Sequence, residues 1–361
     1  MKIDSFQTRI VSPARDLEIT RDGPGKLLAN FVTLQLRTNV GIEGIGYAGF
    51  VRESMLKALA EVIDALTVQT IGDDPLRIQA IVEKLLNFGG NGAPAGLVTQ
   101  AVAAIDVALW DIKGKALDQP VHKLLGGYRD RIPCYASGLL WRNYDAQALA
   151  KTGADLVEQG FRAMKFRMGD EKTASAEIIR MKALRDSVGD EVDLMVDINQ
   201  DWDLNRSIQI GREMERSNLY WLEDPIDHQD YTGMARIAEA LDTPLASGEY
   251  LYGLPPFRHM FEQRSVDIAM VDLLRAGGIT PWIQIAHLAS AYNLPVVSHL
   301  APEILAHVVA AVPNGLIVEH MPWSLPLFEQ ELTVNQGEIT LSEQPGFGLN
   351  FDEGALVKFA V

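Results

Sequence analysis

From Ile132 onward, short apolar runs alternate with segments of helical spacing, and that alternation constrains the fold more than any other feature of the chain. The runs are rich in Val, Ile and aromatic residues and lie at 132–138, 161–168, 192–199, 219–225, 243–249, 266–272, 294–300 and 316–321. Between them, a stretch such as 174–187 sets Ile178, Met181 and Leu184 three residues apart, on one face of a helix. Runs that are apolar throughout suit strands of a parallel sheet covered on both faces. Strands alternating with helices then imply right-handed βαβ units. Eight strands at a spacing near 25 residues fit the arithmetic of a (β/α)8 barrel. The least regular segment is the helix between the fifth and sixth strands, where Pro255 and Pro256 leave little room. A doubly wound open sheet stays open as an alternative, although no Gly-rich phosphate loop follows an early strand.

Residues 1–125 carry a different pattern. Stretches 3–11, 31–37 and 44–50 predict an antiparallel sheet, and 53–66, 75–86 and 95–116 predict helices, giving a separate α+β domain. Residues 126–321 form the barrel. The tail, 322–361, contains a hairpin-like pair at 332–335 and 338–341 around Gln336 and Gly337. That pair resembles the N-terminal sheet more than the barrel, so it is expected to pack back on the first domain.

A net charge of −16 argues against nucleic acid or an anionic membrane as partner. An anionic substrate would need local positive charge, from a metal or from particular Lys and Arg residues. Cys134 is the single cysteine, so no internal disulfide forms and a reducing compartment fits. The opening MKIDSFQTRIV lacks the apolar stretch of a signal peptide, and no uncharged run approaches the ~20 residues of a membrane span. The expected setting is cytoplasmic.

Three acidic residues, Asp197, Glu223 and Glu249, stand 26 positions apart, each at the C-terminal end of an apolar run. An unpaired charge buried there costs several kcal/mol, roughly, so three at one repeat interval suggest a shared cation. The C-terminal strand ends of a barrel all open into one mouth. There the second strand offers Lys165 and Arg167, the sixth Asp272, the seventh His299 and the eighth Glu319. Taken singly, each has a duller explanation: a helix cap for Asp197 or Glu249, a structural role for His299, an outward face for Arg167, an ion pair with His320 for Glu319. Polar ends on seven consecutive strands are hard to attribute to packing. Oxygen-only ligands suit a hard cation such as Mg²⁺. A metal chelating a carboxylate substrate stabilises the enediolate left when the α-proton departs. His299 is then the candidate base, with Asp272, one βα unit earlier, against its imidazole. Glu319 is a candidate proton donor if its surroundings keep it neutral.

The stretches MKFRMG, MVDINQDW, WLEDP, ASGE, LLRAGGIT, SHL and IVEHM, with AAIDVALWDIKGKALDQPVHKLLGG at 103–127, resemble the enolase superfamily in its mandelate racemase-like branch over the whole chain. The resemblance implies an α/β fold: a modified (β/α)8 TIM barrel with an N-terminal α+β capping domain completed by the C-terminal tail. It implies Mg²⁺ held by Asp197, Glu223 and Glu249, an acid/base dyad of Asp272 and His299, and Glu319 donating to the enediolate. Asn199, Lys165, Arg167 and Glu319 would bind a small-molecule carboxylate substrate. Cap loops near 19–26 and 49–53 would close the mouth. A homo-oligomer, often an octamer in the family, is expected.

One departure matters. Many relatives carry Lys-x-Lys on the second strand, the second Lys being a base that faces the His across the substrate. Here that position is Arg167, and a guanidinium is a poor proton acceptor. One good base disfavours racemisation and favours β-elimination of water, with Lys165 a second base only if its pKa is strongly lowered. The segments GREMERSNLYWLEDP and MPWSLPLFEQEL resemble acid-sugar dehydratases, particularly those acting on talarate and galactarate. The expected activity is dehydration of an aldarate or aldonate to a 2-keto-3-deoxy acid. The rivals are a racemase or epimerase of a 2-hydroxy or amino acid and a non-catalytic binding barrel.

Overall fold

The structure, a computed structural model, describes residues 1–17 and 25–361. The chain opens with β1 (Ile3–Val11), a β2–β3 hairpin (Ala14–Leu17 and Gly25–Leu28), β4 (Phe31–Thr38) and β5 (Glu43–Gly49). Strands β1, β4 and β5 form an antiparallel sheet in that order. The hairpin was not read from the sequence. Helices α1 (Glu53–Val68), α2 (Ile78–Gly89) and α3 (Gly96–Ala116) follow, close to the predicted spans, and then the short α4 (Val121–Leu124). α3 lies so close on β5 that a Cβ at Gly46 would sit 2.1 Å from the Ala104 carbonyl oxygen, so that strand position takes no side chain.

The barrel then runs β6 (Arg131–Ala136), α5 (Ala146–Glu158), β7 (Ala163–Arg167), α6 (Ala174–Val188), β8 (Asp193–Asp197), α7 (Leu204–Met214), β9 (Leu219–Glu223), α8 (Tyr231–Ala240), β10 (Leu245–Ser247), α9 (Leu254–Glu262), β11 (Ile268–Asp272), α10 (Leu273–Ala276), α11 (Ile279–Ala291), β12 (Val296–His299), α12 (Pro302–Ala311) and β13 (Val318–His320). Each strand from β6 to β12 pairs in parallel with the next, and β13 pairs in parallel with β6. On its other side β13 meets β12 where the Glu319 amide donates to Ser298 Oγ at 2.7 Å, which brings the sheet round on itself. The open-sheet alternative is thereby excluded. α9 forms despite its two prolines because they occupy its first turn, where amides have no intrahelical acceptor to lose.

The tail departs from expectation. β14 (Val334–Asn335) and β15 (Glu338–Thr340) do form a hairpin, but β15 pairs antiparallel with β6, so the hairpin extends the barrel sheet and not the N-terminal one. The start of β6 lies beyond its parallel pairing with β13 and offers a free edge, which the hairpin covers. The end of the tail returns to the N-terminal sheet: Glu353, the first residue of α13 (Glu353–Lys358), pairs with Arg9 at 2.6 Å, and Ala360 bridges Val11.

Two buried carboxylates of α3 join the parts. Asp106 Oδ2 accepts from the amides of Ile279 (2.6 Å) and Thr280 (3.1 Å) at the start of α11. Asp111 accepts from Ile45 N of β5 and Phe347 N of the tail. Nearer the mouth, Tyr47 Oη of β5 donates to Glu303 of α12 at 2.5 Å, and Ser324 of the tail donates to the same carboxylate. Among the described residues no helix is long and apolar enough to cross a membrane.

Candidate active site

Parallel register lines up the strand ends. Arg167 of β7 is the Cα partner of Asp197 of β8, which is in turn the partner of Glu223 of β9. Asp272 of β11 is likewise the partner of His299 of β12. Glu249 lies two residues beyond β10, after Gly248, whose φ of +129° and close approach to the Met270 carbonyl (a Cβ would sit 2.6 Å away) exclude a side chain. All of these residues except His299 are fully buried, and the His299 side chain is 12% exposed.

The acidic group is larger than the sequence suggested. Carboxylate oxygens of Glu223, Asp224 and Glu249 lie within 4.8 Å of one another. Asp197 stands beside them, held by Asn199, whose amide and Nδ2 donate to its two oxygens at 2.8 and 2.9 Å. Asn199 can make both bonds because it adopts a left-handed φ of 46°. Asp224 was missed. It directly follows a ligand candidate in WLEDP, and a φ of 41° turns it back toward the same mouth. Ser247 Oγ donates to its Oδ1, while Asp224 Oδ2 and Glu249 Oε2 are buried without a hydrogen-bond partner among the described residues. Burial, followed by Glu249 and Glu223, pushes the Asp224 carboxyl far up. Burial also raises Glu223, which Lys165 opposes, to about 8. Crowded oxygen donors with unsatisfied lone pairs fit a hard divalent cation such as Mg²⁺.

Lys165 Nζ sits within the same group, 2.5 Å from Glu223 Oε1, 3.0 Å from Glu319 Oε1 and 3.8 Å from Asp197 Oδ2. Trp221, two residues before Glu223 and so on the same side of the strand, donates to its other oxygen at 2.9 Å. Burial alone would lower the Lys165 pKa, but Glu223 and Glu319 raise it well above the ordinary value. In this arrangement Lys165 therefore lacks the lowered pKa that a second base would need.

Arg167 is fixed. It donates to the Ser137 carbonyl at 3.0 Å and to Ser137 Oγ at 3.2 Å, and its guanidinium lies 4.0 Å over the Trp141 ring. Ser137 Oγ donates in turn to Glu319 Oε1 at 2.6 Å. Ser137 follows β6 directly, so the first strand also carries a polar end, a position the sequence reading left empty. Glu319 additionally accepts from the Leu300 amide at 2.6 Å. Burial would raise its pKa, but Lys165, His299, the Ser137 bond and Arg167 bring it down to about 2. As arranged here its oxygens accept hydrogen bonds and its pKa is held down, whereas the donor role expected from the sequence requires a neutral carboxyl.

His299 Nδ1 lies 2.6 Å from Asp272 Oδ2, and its Nε2 is 3.1 Å from Glu249 Oε2, without hydrogen-bond alignment to it. Burial lowers the imidazole pKa, but Glu249 and then Asp272 raise it to about 9. Asp272 also caps α10 through the Arg275 amide (2.6 Å). Burial would raise Asp272; Arg275 and His299 hold it below the usual carboxylate value. An anchored imidazole whose Nε2 faces a metal-binding group can move a proton to and from a carboxylate substrate held there.

At the rim, Phe50 packs against Trp323 (ring centroids 5.9 Å apart), and Trp323 stacks on Trp141 at 6.0 Å. This connects the cap loop at 49–53 to the residue that covers Arg167. Of the other cap loop expected near 19–26, residues 19–24 lie outside the described residues.

Comparison with known proteins points the same way. Residues 7–126 match the mandelate racemase / muconate lactonizing enzyme N-terminal domain, and residues 148–355 match the enolase C-terminal domain-like family. L-talarate/galactarate dehydratase of Salmonella typhimurium is 35% identical over 90% of this chain and 81% of its own. A 3,6-anhydro-alpha-L-galactonate cycloisomerase of Streptomyces coelicolor is 31% identical over 91% of each chain. The crystal structure of L-talarate dehydratase from Polaromonas sp. JS666, complexed with Mg and L-glucarate, superposes with a TM-score of 0.91 at 32% identity, covering 100% of this chain and 97% of that one.

Proposed function

Because the chain belongs to the mandelate racemase/muconate lactonizing enzyme family of the enolase superfamily, we propose that it dehydrates a sugar acid with Mg²⁺ as cofactor. The substrate is an aldarate or aldonate, and the product is a 2-keto-3-deoxy acid. Relatives that are acid-sugar dehydratases, one of them crystallised with Mg and L-glucarate, support this reading. The observation that carries it is the asymmetry of the mouth. A His–Asp pair stands at the end of β12, and at the end of β7 a guanidinium is pinned by Ser137 and Trp141.

Asp197, Glu223 and Glu249 would hold the Mg²⁺, with Asp224 as a fourth carboxylate beside them. When bound, Mg²⁺ supplies positive charge to the substrate carboxylate and makes loss of the α-proton less costly. His299 Nε2 takes the proton from C2, and the electron pair passes into the carboxylate. Lys165 and Arg167 place fixed positive charge against the resulting anion. The C3–O bond then breaks, and the departing hydroxyl takes up the proton carried by His299, leaving as water. The enol that remains tautomerises to the 2-keto acid. Asp272 fixes the His299 tautomer throughout, while Asn199 orients Asp197 and Glu319 holds Lys165 and Ser137 in place. Residues 1–125 cap the mouth and residues 126–321 supply the barrel, while the tail, 322–361, adds its hairpin to the barrel and returns to the cap at its end, where Ala360 bridges Val11.

Incubation of the purified protein with Mg²⁺ and a panel of aldarates and aldonates tests the proposal. Appearance of a 2-keto product is expected. No turnover on any member, with Mg²⁺ bound, would refute it.

A further inference from the structure

A second group of metal-ligand side chains lies away from the mouth. His122 of α4, Asp130 immediately before β6 and Glu343 of the tail offer ligand atoms that lie within 4.8 Å of one another. Asp130 precedes the first residue of a barrel strand, and the neighbouring Arg129 amide donates to Ala310 O at the C-terminal end of α12. Both observations put the group at the N-terminal ends of the strands, on the face opposite the catalytic mouth.

His122 is what singles this group out. It is fully buried, yet neither ring nitrogen has a hydrogen-bond partner among the described residues. Its Nε2 points at Asp130, whose Oδ1 is 3.7 Å away, too far for a hydrogen bond. A buried polar group in that state costs about 1–3 kcal/mol, so a ligand or an ordered water should satisfy it. Burial, the leading influence, lowers its pKa and favours the neutral imidazole that binds metals. The two carboxylates are exposed, with side chains 76% and 61% accessible, so an ion can reach Nε2 between them and they can shift to meet it. Tetrahedral bonds of about 2.1 Å place ligand atoms about 3.4 Å apart, so the contraction needed is on the order of 1 Å, a side-chain adjustment open to two exposed carboxylates. Lys123 opposes a cation, but it engages only Oε2 of Glu343. His307, whose ring centroid lies 5.4 Å from that of His122, also has an unpartnered buried Nδ1.

We propose that His122, Asp130 and Glu343 form a mononuclear site for a divalent transition-metal ion of the Zn²⁺ class, distinct from the Mg²⁺ site. One imidazole nitrogen and two carboxylate oxygens are the donor set such an ion takes, with water completing its shell. The ion would clip the tail to the segment that links α4 to β6.

Calorimetric titration of the Mg²⁺-saturated protein with Zn²⁺ tests the site. One Zn²⁺ per chain is expected that survives Glu249→Gln, which disables the mouth, and binds at least 10-fold more weakly in Asp130→Asn, Glu343→Gln and His122→Gln. Turnover with Mg²⁺ should be unchanged in Asp130→Asn and Glu343→Gln. If His122→Gln fails to fold, the two exposed variants decide the matter. Absence of Zn²⁺ binding beyond the mouth, or equal affinity in the Asp130→Asn and Glu343→Gln proteins, would overturn the proposal and leave His122 a buried imidazole satisfied by water.

Discussion

Asp272 and His299 are direct Cα partners on adjacent parallel strands, and their side chains meet at 2.6 Å between Oδ2 and Nδ1. The backbone register brings the pair together, and the bond turns Nε2 toward Glu249 and the mouth. His299→Asn should therefore lower kcat by roughly 10²–10⁴-fold, the range for a positioned general base, while Mg²⁺ affinity stays within a few-fold of the parent. Asp272→Asn should lower kcat with little change in KM. Calorimetric Mg²⁺ titration alongside steady-state kinetics checks both, and loss of metal together with activity in His299→Asn would reassign His299.

In the metal-free protein the His299 pKa is raised to about 9 from an ordinary 6.5. A raised imidazole pKa stabilises the fold fully below about pH 6.5, and that contribution disappears as the pH climbs through about 9. Urea unfolding across this window should show the loss in the parent and not in His299→Asn. If Glu249 is a Mg²⁺ ligand, saturating Mg²⁺ should bring the pKa down, as followed by NMR of the imidazole protons. An unchanged pKa at full Mg²⁺ occupancy would mean that Glu249 is not a ligand.

Arg167→Lys keeps the charge but replaces a fixed guanidinium with an amine that can act as a base. It also gives up the paired bonds to Ser137. The variant should dehydrate more slowly, by roughly 10-fold or more given the value of a lost charge-assisted contact, and should gain solvent-deuterium exchange at C2 that the parent lacks. Mass spectrometry of recovered substrate reads the exchange directly.

Asp106→Ala removes the acceptor for two amides at the start of α11 and leaves them buried. The expected loss is about 1–3 kcal/mol per orphaned donor, read as a lower urea midpoint, with no direct effect on the chemistry. A midpoint unchanged from the parent would mean that other groups satisfy these amides.

The sequence revealed the barrel and the ends of its strands because apolar runs and their terminal charges are local features. Asp197, Glu223 and Glu249 stood out by spacing alone, and Asp272 with His299 by one βα interval. The partners that set protonation were harder to read. Lys165 was weighed against its neighbour Arg167, whereas in the fold it faces Glu223 and Glu319, 58 and 154 residues away in sequence, and these keep it charged. The Glu319 pKa is likewise held down by residues distant in sequence, Lys165 foremost. Asp224 carried no local signal, because what turns it inward is a left-handed backbone that the sequence does not announce. The tail hairpin followed the expected pattern but joined β6, since an alternating pattern does not say which free edge a hairpin will cover.

The most direct test of one-base dehydration is turnover of an accepted aldarate in D₂O with Mg²⁺. The account predicts a 2-keto-3-deoxy product carrying solvent deuterium at C3. It also predicts that the C2 epimer of the substrate neither forms nor exchanges. Deuterium at C2 in both stereoisomers without loss of water would contradict it and make the enzyme a two-base epimerase.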